Sequence, residues 1–86
     1  MAERTITVLN PSGIHARPAQ MVVEMARSYP GAVEVIKGDK TADLKSILRV
    51  LTLGLKKGSE ITLRVTGENE ESFLESLCAY ILSLDG

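Results

Sequence analysis

Residues 61–66 constrain the fold more than any other segment, because apolar and polar side chains alternate there without interruption. Ile61, Leu63 and Val65 fall on one side of an extended chain, and two threonines and an arginine fall on the other. Residues 5–9 begin with the same alternation. Such a pattern indicates an antiparallel sheet with one face on a core and the other in water.

The rest of the chain supplies helices for the buried face of that sheet. The predicted elements are strands over residues 5–9, 32–37, 40–42 and 61–66, and helices over residues 16–28, 46–53 and 70–82. The order β-α-β-β-α-β-α with short connections predicts an α+β fold. We expect an open-faced β-sandwich, in which a four-stranded antiparallel sheet carries three helices on one face.

Size and charge exclude several classes of protein. A chain of 86 residues without linker or repeat predicts one domain over residues 1–86, with a modest core. A net charge of −1 and 3% aromatic residues disfavour nucleic acid as a partner. No apolar run approaches the roughly 20 residues of a membrane span, and no signal-peptide core is present. We therefore expect a cytoplasmic protein without direct membrane insertion.

A single cysteine and a single histidine limit the chemistry further. Cys78 lies among apolar residues of a predicted helix, which favours a small buried side chain over a nucleophile with His15 as its base. A protein zinc site of the usual kind needs about four ligands. We expect no metal and no other cofactor.

The most informative segment is residues 10–18, Asn-Pro-Ser-Gly-Ile-His-Ala-Arg-Pro. His15 falls where a turn becomes a helix, and the first amides of a helix favour bound anions. The Ala16 and Arg17 amides, the Arg17 guanidinium and the Ser12 hydroxyl form a predicted phosphate cradle. The positive surroundings oppose protonation, so we expect a neutral, nucleophilic imidazole. This combination suits a reversible phosphoryl carrier, although a lone histidine at a helix start is also typical of a surface residue or a cap.

The chain resembles the HPr family, the histidine-containing phosphocarriers of the bacterial phosphoenolpyruvate-dependent sugar phosphotransferase system. The resemblance rests on Asn10 with residues 13–18, on Lys-Ser-Ile-Leu at 45–48, on Leu-Gly-Leu at 53–55 and on Gly-Glu at 67–68. It implies a monomeric carrier that is not an enzyme. It further implies that His15 takes a phosphoryl group on Nδ1 from phosphorylated Enzyme I and passes it to sugar-specific IIA domains, assisted by Arg17.

Two predicted roles of Ser46 are compatible with each other. Serine is a preferred helix N-cap. The resemblance implies a regulatory serine that an HPr kinase/phosphorylase phosphorylates, with a transcription regulator as a further partner. Arg49 resembles the basic residue that enteric members of the family carry at this position. The sequence Lys45-Ser46-Ile47 instead resembles that of the kinase-regulated branch.

Helical spacing alone favours a buried position for Ile47, Leu48 and Leu51. The resemblance implies instead that they contribute to an exposed docking patch for partners, with Arg49 in its positive rim. Arg17, Lys45 and Arg27 are further candidates for that rim, and Glu24 is a candidate for weakening the binding of one partner.

Two other functions remain as alternatives at this stage. One is a regulatory interaction module that uses Ser46 and the Ile47 patch, with His15 reporting phosphorylation; a nitrogen-related or purely regulatory branch belongs with it. The other is an unrelated α+β binding domain in which the His-Ala-Arg-Pro motif is accidental.

Overall fold

The computed structural model describes residues 1–10, 13–14 and 16–84. The described chain contains seven elements in the predicted order. They are β1 (Ala2–Thr7), α1 (Ala16–Arg27), β2 (Ala32–Lys37), β3 (Lys40–Asp43), α2 (Ile47–Thr52), β4 (Glu60–Thr66) and α3 (Glu70–Ser83). The predicted α+β class and element order are confirmed.

The four strands form one antiparallel sheet with the order β1-β4-β2-β3. The strictly alternating strand β4 is central, and its apolar residues are all buried. On its open face the register sets Glu3 of β1, Arg64 of β4, Glu34 of β2 and Asp43 of β3 in one row. The guanidinium of Arg64 pairs with Glu3 at 2.7 Å and with Glu34 at 3.5 Å. This face is therefore polar, as the alternation predicts.

The helices cover the other face of the sheet and close the core. Helix α3 packs on β1 and β4, and α1 packs on both α2 and α3. The buried helical residues occur at the predicted spacing, which fixes the face that each long helix turns inward. They are Pro18, Ala19, Val22, Val23 and Ala26 in α1 and Leu74, Leu77, Cys78 and Ile81 in α3. None of the described helices has the length and apolarity that crossing a membrane requires.

The first strand differs from its prediction, because it spans residues 2–7 and not 5–9. Arg4 shares a strand face with the buried Ala2 and Ile6 but is exposed at the edge of the sheet, which hides the alternation in the sequence. The regular ladder ends where Thr7 pairs with Glu60. Beyond it, the chain stays attached through Val8, whose amide donates to the Ser59 carbonyl at 2.9 Å.

Candidate functional site

Arg17, in the first turn of α1, is the charged residue of the predicted phosphate cradle that the structure describes. The helix begins at Ala16, Arg17 is exposed, and Pro18 is buried beneath them. No acidic residue lies in this turn, so its unpaired amides and the guanidinium give it a positive potential. Two predicted site residues, Ser12 and His15, lie outside the described residues. The arrangement suits an anion beside the start of α1.

Residues 53–56 contact the segment that leads into α1 and hold its backbone in place. The amide of Ile14 donates to the carbonyl of Leu55 at 2.6 Å, and the two residues form an isolated antiparallel bridge. Gly13 has a φ of +70°, and a Cβ there would lie 2.9 Å from Lys56 Cα and closer still to the Leu55 carbonyl oxygen. Only glycine combines this conformation with such a close backbone approach. The residue before His15 thus has a defined backbone position.

Asn10 anchors the other end of the same segment. It is the only charged or strongly polar residue buried among those that the structure describes, at 2% exposure. Its Nδ2 donates to the Leu84 carbonyl at the end of α3, and its own carbonyl accepts from the Gly13 amide at 2.9 Å. The bond from Nδ2 satisfies the donor side of this buried amide, whereas its Oδ1 has no hydrogen-bond partner among the described residues. Asn10 therefore ties the loop to α3.

Helix α2 starts at a serine cap. Ser46 has an extended backbone, and its Oγ accepts from the Arg49 amide at 3.5 Å, a long hydrogen bond. Ser46 is half-buried and Arg49 is exposed. The helix ends at Thr52, with Leu53 as its C-cap. Gly54 follows with a φ of +64°, the left-handed conformation common after a helix end. The N-cap reading of Ser46 agrees with this geometry.

Apolar side chains are exposed on α2 and on the neighbouring α1. Leu48 is 73% exposed, Leu51 37% and Met21 40%, whereas Ile47 is partly buried against the core. We call Met21, Leu48 and Leu51 the apolar patch. Met21 is missing from the sequence-based docking set, although its offset from the buried stripe of α1 marks it as outward-facing. Exposed apolar side chains on two neighbouring helices are typical of surfaces that a partner covers.

Arg17 and Arg49 take no part in the ion pairs of the described residues. The described ion pairs join the N-terminal ammonium to Glu70 and Arg64 to two carboxylates of the open sheet face. Among residues 1–10, 13–14 and 16–84, no carboxylate lies within 4.0 Å of the charged groups of Arg17 or Arg49. These two arginines are therefore available to an acidic partner.

The other two cations of the predicted rim are engaged inside the chain. Arg27 Nε donates to the Lys45 carbonyl at 2.9 Å, and Lys45 Nζ donates to the Tyr29 carbonyl at 2.6 Å. These bonds join the end of α1 to the turn before Ser46. Their charges still contribute to the local potential, but the side chains have a structural role as well.

Cys78 lies in the core of the molecule. Cys78 is 1% exposed, and burial raises the pKa of its thiol, which disfavours the reactive thiolate. Within the part of the chain that the structure describes, no group of histidine, cysteine and acidic residues is arranged to hold a metal ion. The predicted interpretation of Cys78 as a core side chain agrees with its place in α3.

Residues 2–83 match the family model described as "PTS HPr component phosphorylation site". The chain belongs to the HPr family. The HPr of Lysinibacillus sphaericus is 44% identical over 84 residues, which are 98% of this chain and 96% of that protein. A crystal structure of HPr-C-His from Thermoanaerobacter tengcongensis superposes with a TM-score of 0.91 at 35% identity, and covers 96% of this chain and 93% of that one.

Membership of the HPr family settles the general function. The chain is a phosphocarrier of the phosphotransferase system, not an enzyme, and it exchanges phosphoryl groups with other proteins of that system. A multiphosphoryl transfer protein of Xanthomonas campestris is 41% identical over 78 residues, which are 91% of this chain but 9% of that protein. The HPr resemblance drawn from the sequence motifs is confirmed, and the reading of an unrelated binding domain is wrong.

Proposed function

We propose that His15 is the phosphorylated residue, that phosphorylated Enzyme I is its donor and that sugar-specific IIA domains are its acceptors. The observation that carries the proposal is the position of the only histidine, immediately before the acid-free first turn of α1 with its exposed Arg17. Arg17 is the only other titratable residue within residues 15–19, so His15 supplies the one nucleophile at this turn.

The transfer needs one bond made and one broken. The Nδ1 lone pair of His15 attacks the phosphorus atom, and the bond from phosphorus to the donor group on Enzyme I breaks, with its electron pair returning to Enzyme I. The reverse sequence passes the group to the IIA domain. Because a phosphoryl group keeps its negative charge throughout, positive groups that hold it on one protein must not bind it too tightly for release.

Arg17 and the amides at the start of α1 supply that moderate hold. We propose that the Arg17 guanidinium and the Ala16 amide contact the phosphoryl oxygens, with Ser12 as a further donor. A guanidinium in a solvent-exposed position binds phosphate less strongly than a buried one. Exposure of Arg17 therefore favours reversible transfer.

Partners dock beside this site in our proposal. The apolar patch and Arg49, together with Ile47, supply a contact surface in which apolar side chains are bordered by an unpaired cation. Interfaces commonly combine an apolar centre with a polar rim. The match to a segment of a protein named for multiphosphoryl transfer supports partners that are themselves phosphoryl-transfer proteins.

The test is the intact mass after incubation with Enzyme I, magnesium and phosphoenolpyruvate. We expect one added phosphate that mild acid removes, because phosphohistidine is acid-labile. His15→Ala should gain none, whereas the matched control Ser46→Ala should gain the same labile phosphate as wild type. An acid-stable phosphate, or a labile phosphate on His15→Ala, would contradict the assignment.

A second role rests on Ser46. Its place at the start of α2, next to the partly buried Ile47 and the exposed Leu48, supports a regulatory phosphate at the edge of the docking surface. We propose that an HPr kinase/phosphorylase adds it, that the added negative charge repels acidic partners, and that a transcription regulator binds this form.

Incubation with that kinase and ATP should add one acid-stable phosphate to wild type and none to Ser46→Ala. Ser46→Asp should slow transfer from Enzyme I while far-UV circular dichroism stays unchanged, because aspartate is also a good N-cap. Transfer to Ser46→Asp at the wild-type rate would remove the regulatory role.

A further inference from the structure

Lys37, the last residue of β2, reaches the end of helix α2. Its Nζ donates to the Gly54 carbonyl at 2.8 Å and to the Leu53 carbonyl at 3.3 Å. The last carbonyls of a helix have no partner inside the helix, and a cation there is favourable. One side chain from the sheet therefore closes the end of α2.

The residue after those two carbonyls supports the loop that leads into α1. Leu55 is 5% exposed, and its carbonyl accepts from the Ile14 amide at 2.6 Å. The contact is an isolated bridge without a regular ladder on either side. The position of Ile14 thus depends on where residues 53–55 are held. Leu53 and Leu55 are buried in the core, and Lys37 adds hydrogen bonds to the carbonyls of Leu53 and Gly54.

The pairing of Lys37 in the hairpin does not by itself favour a lysine at this position. Lys37 and Lys40 are directly paired across the turn between β2 and β3, and like charges in such a pair are destabilising. Lys37 offsets this cost with two carbonyl acceptors, whereas the exposed Lys40 has no side-chain hydrogen bond among the described residues. The hydrogen bonds to the end of α2, and not the pairing with Lys40, therefore account for a lysine at position 37.

We propose that Lys37 is a positioning residue for the phosphorylation site. Its ammonium group fixes residues 53–55 and, through Leu55, the backbone of Ile14 directly before His15. This inference rests on the proposed function, since it takes His15 as the phosphorylated residue. It assigns Lys37 no contact with the phosphoryl group or with a partner.

The test compares wild type with Lys37→Met, Lys37→Arg and Lys40→Met in the full chain. Two quantities are measured: hydrogen exchange of the Ile14 amide by NMR in the unphosphorylated protein, and kcat and KM of Enzyme I for each variant. Lys40→Met is the matched control, because it removes the same charge from the same hairpin without removing the two hydrogen bonds.

We expect Lys37→Met to speed Ile14 exchange about fivefold, the factor that one net hydrogen bond supplies, and to lower kcat by a similar factor. KM should stay near the wild-type value, because the apolar patch and Arg49 are intact. Lys37→Arg should restore exchange and kcat, since a guanidinium also donates to carbonyls. Lys40→Met should match wild type in all three quantities.

Several results would overturn the proposal. One is Lys37→Met matching Lys40→Met in exchange and in kcat, and another is faster exchange with an unchanged kcat. A rise in KM alone would place Lys37 in docking instead. If wild type accepts no phosphate, the proposed function fails and the positioning role fails with it; that outcome differs from a failure specific to Lys37, in which wild type and every variant are phosphorylated equally.

Discussion

Gly13→Ala should damage the site far more than an alanine in an equally unusual backbone conformation elsewhere. Gly13 and Gly54 have φ values of +70° and +64°, so alanine is strained at both positions. They differ in space: a Cβ at Gly54 meets nothing within 4 Å, whereas a Cβ at Gly13 meets the backbone of Leu55 and Lys56. The pair therefore separates conformational strain from close approach.

The expected magnitudes follow from that difference. A left-handed alanine costs about 1–2 kcal/mol, less about 0.4–1 kcal/mol because alanine also restricts the unfolded chain, so Gly54→Ala should lose about 1 kcal/mol. Gly13→Ala must in addition push residues 55–56 away and break the Ile14–Leu55 hydrogen bond. A buried amide left without a partner costs about 1–3 kcal/mol more.

Thermal unfolding and transfer kinetics test this prediction. At about 4–8 °C per kcal/mol for a chain of this size, Tm should fall by about 5 °C for Gly54→Ala and by about 10–20 °C for Gly13→Ala. Phosphorylation of the folded Gly13→Ala protein should also be slower, whereas that of Gly54→Ala should be close to wild type. Equal losses of Tm for the two variants would refute the close-approach argument.

Three further predictions concern the core, the apolar patch and the N-terminus. Leu63→Ala should lower the free energy of unfolding by about 2–5 kcal/mol in urea titrations, because Leu63 is fully buried; a loss below 1 kcal/mol would contradict its central place. Leu48→Ser should leave the unfolding midpoint unchanged but raise the KM of Enzyme I, and an unchanged KM would exclude Leu48 from docking. The N-terminal ammonium and the Gly67 amide lower the pKa of Glu70, so its ion pair stabilises the fold above the unfolded-state pKa and is lost as pH falls through the folded-state pKa. Glu70→Gln should therefore reduce Tm by more at pH 7 than at pH 2.5, and equal reductions at both values would exclude the pair as the cause.

Where the sequence pattern is local, it predicts the structure well. The alternation in residues 61–66 marks β4, and the spacing of Leu74, Leu77, Cys78 and Ile81 marks the buried side of α3. Each pattern reflects one element that packs one face on one core. The start of β1 cannot be predicted from the local pattern, because Arg4 lies on the core-side face and is nevertheless exposed at the edge of the sheet. Which strand lies at the edge is a property of the assembled sheet.

The site is predictable from sequence only in part. The motif around Arg17 identifies the start of α1, and Ser46 identifies the start of α2. The role of Lys37 has no local signal, because it depends on the end of β2 lying beside the end of α2. Exposure of Leu48 is equally hidden, since its spacing fits a buried stripe; only the packed arrangement of α1 and α2 leaves it in solvent.

The charge distribution yields a prediction that net charge cannot. The formal net charge is −1, yet Arg49 is unpaired among the described residues, whereas Arg64 is paired with Glu3 and Glu34 on the opposite side of the sheet. Arg49→Gln and Arg64→Gln change the net charge equally. If a partner responds to local potential, only the first should slow transfer from Enzyme I.

Stopped-flow transfer at two salt concentrations distinguishes these cases. At low ionic strength, Arg49→Gln should be about threefold to tenfold slower than wild type, and the difference should shrink in 0.5 M salt, where charges act over only about 4–5 Å. Arg64→Gln should transfer at the wild-type rate in both, because its side chain points to the open sheet face and not to α2. Equal slowing by both substitutions would mean that partners respond to total charge, and the docking surface proposed on α2 would lose its electrostatic support.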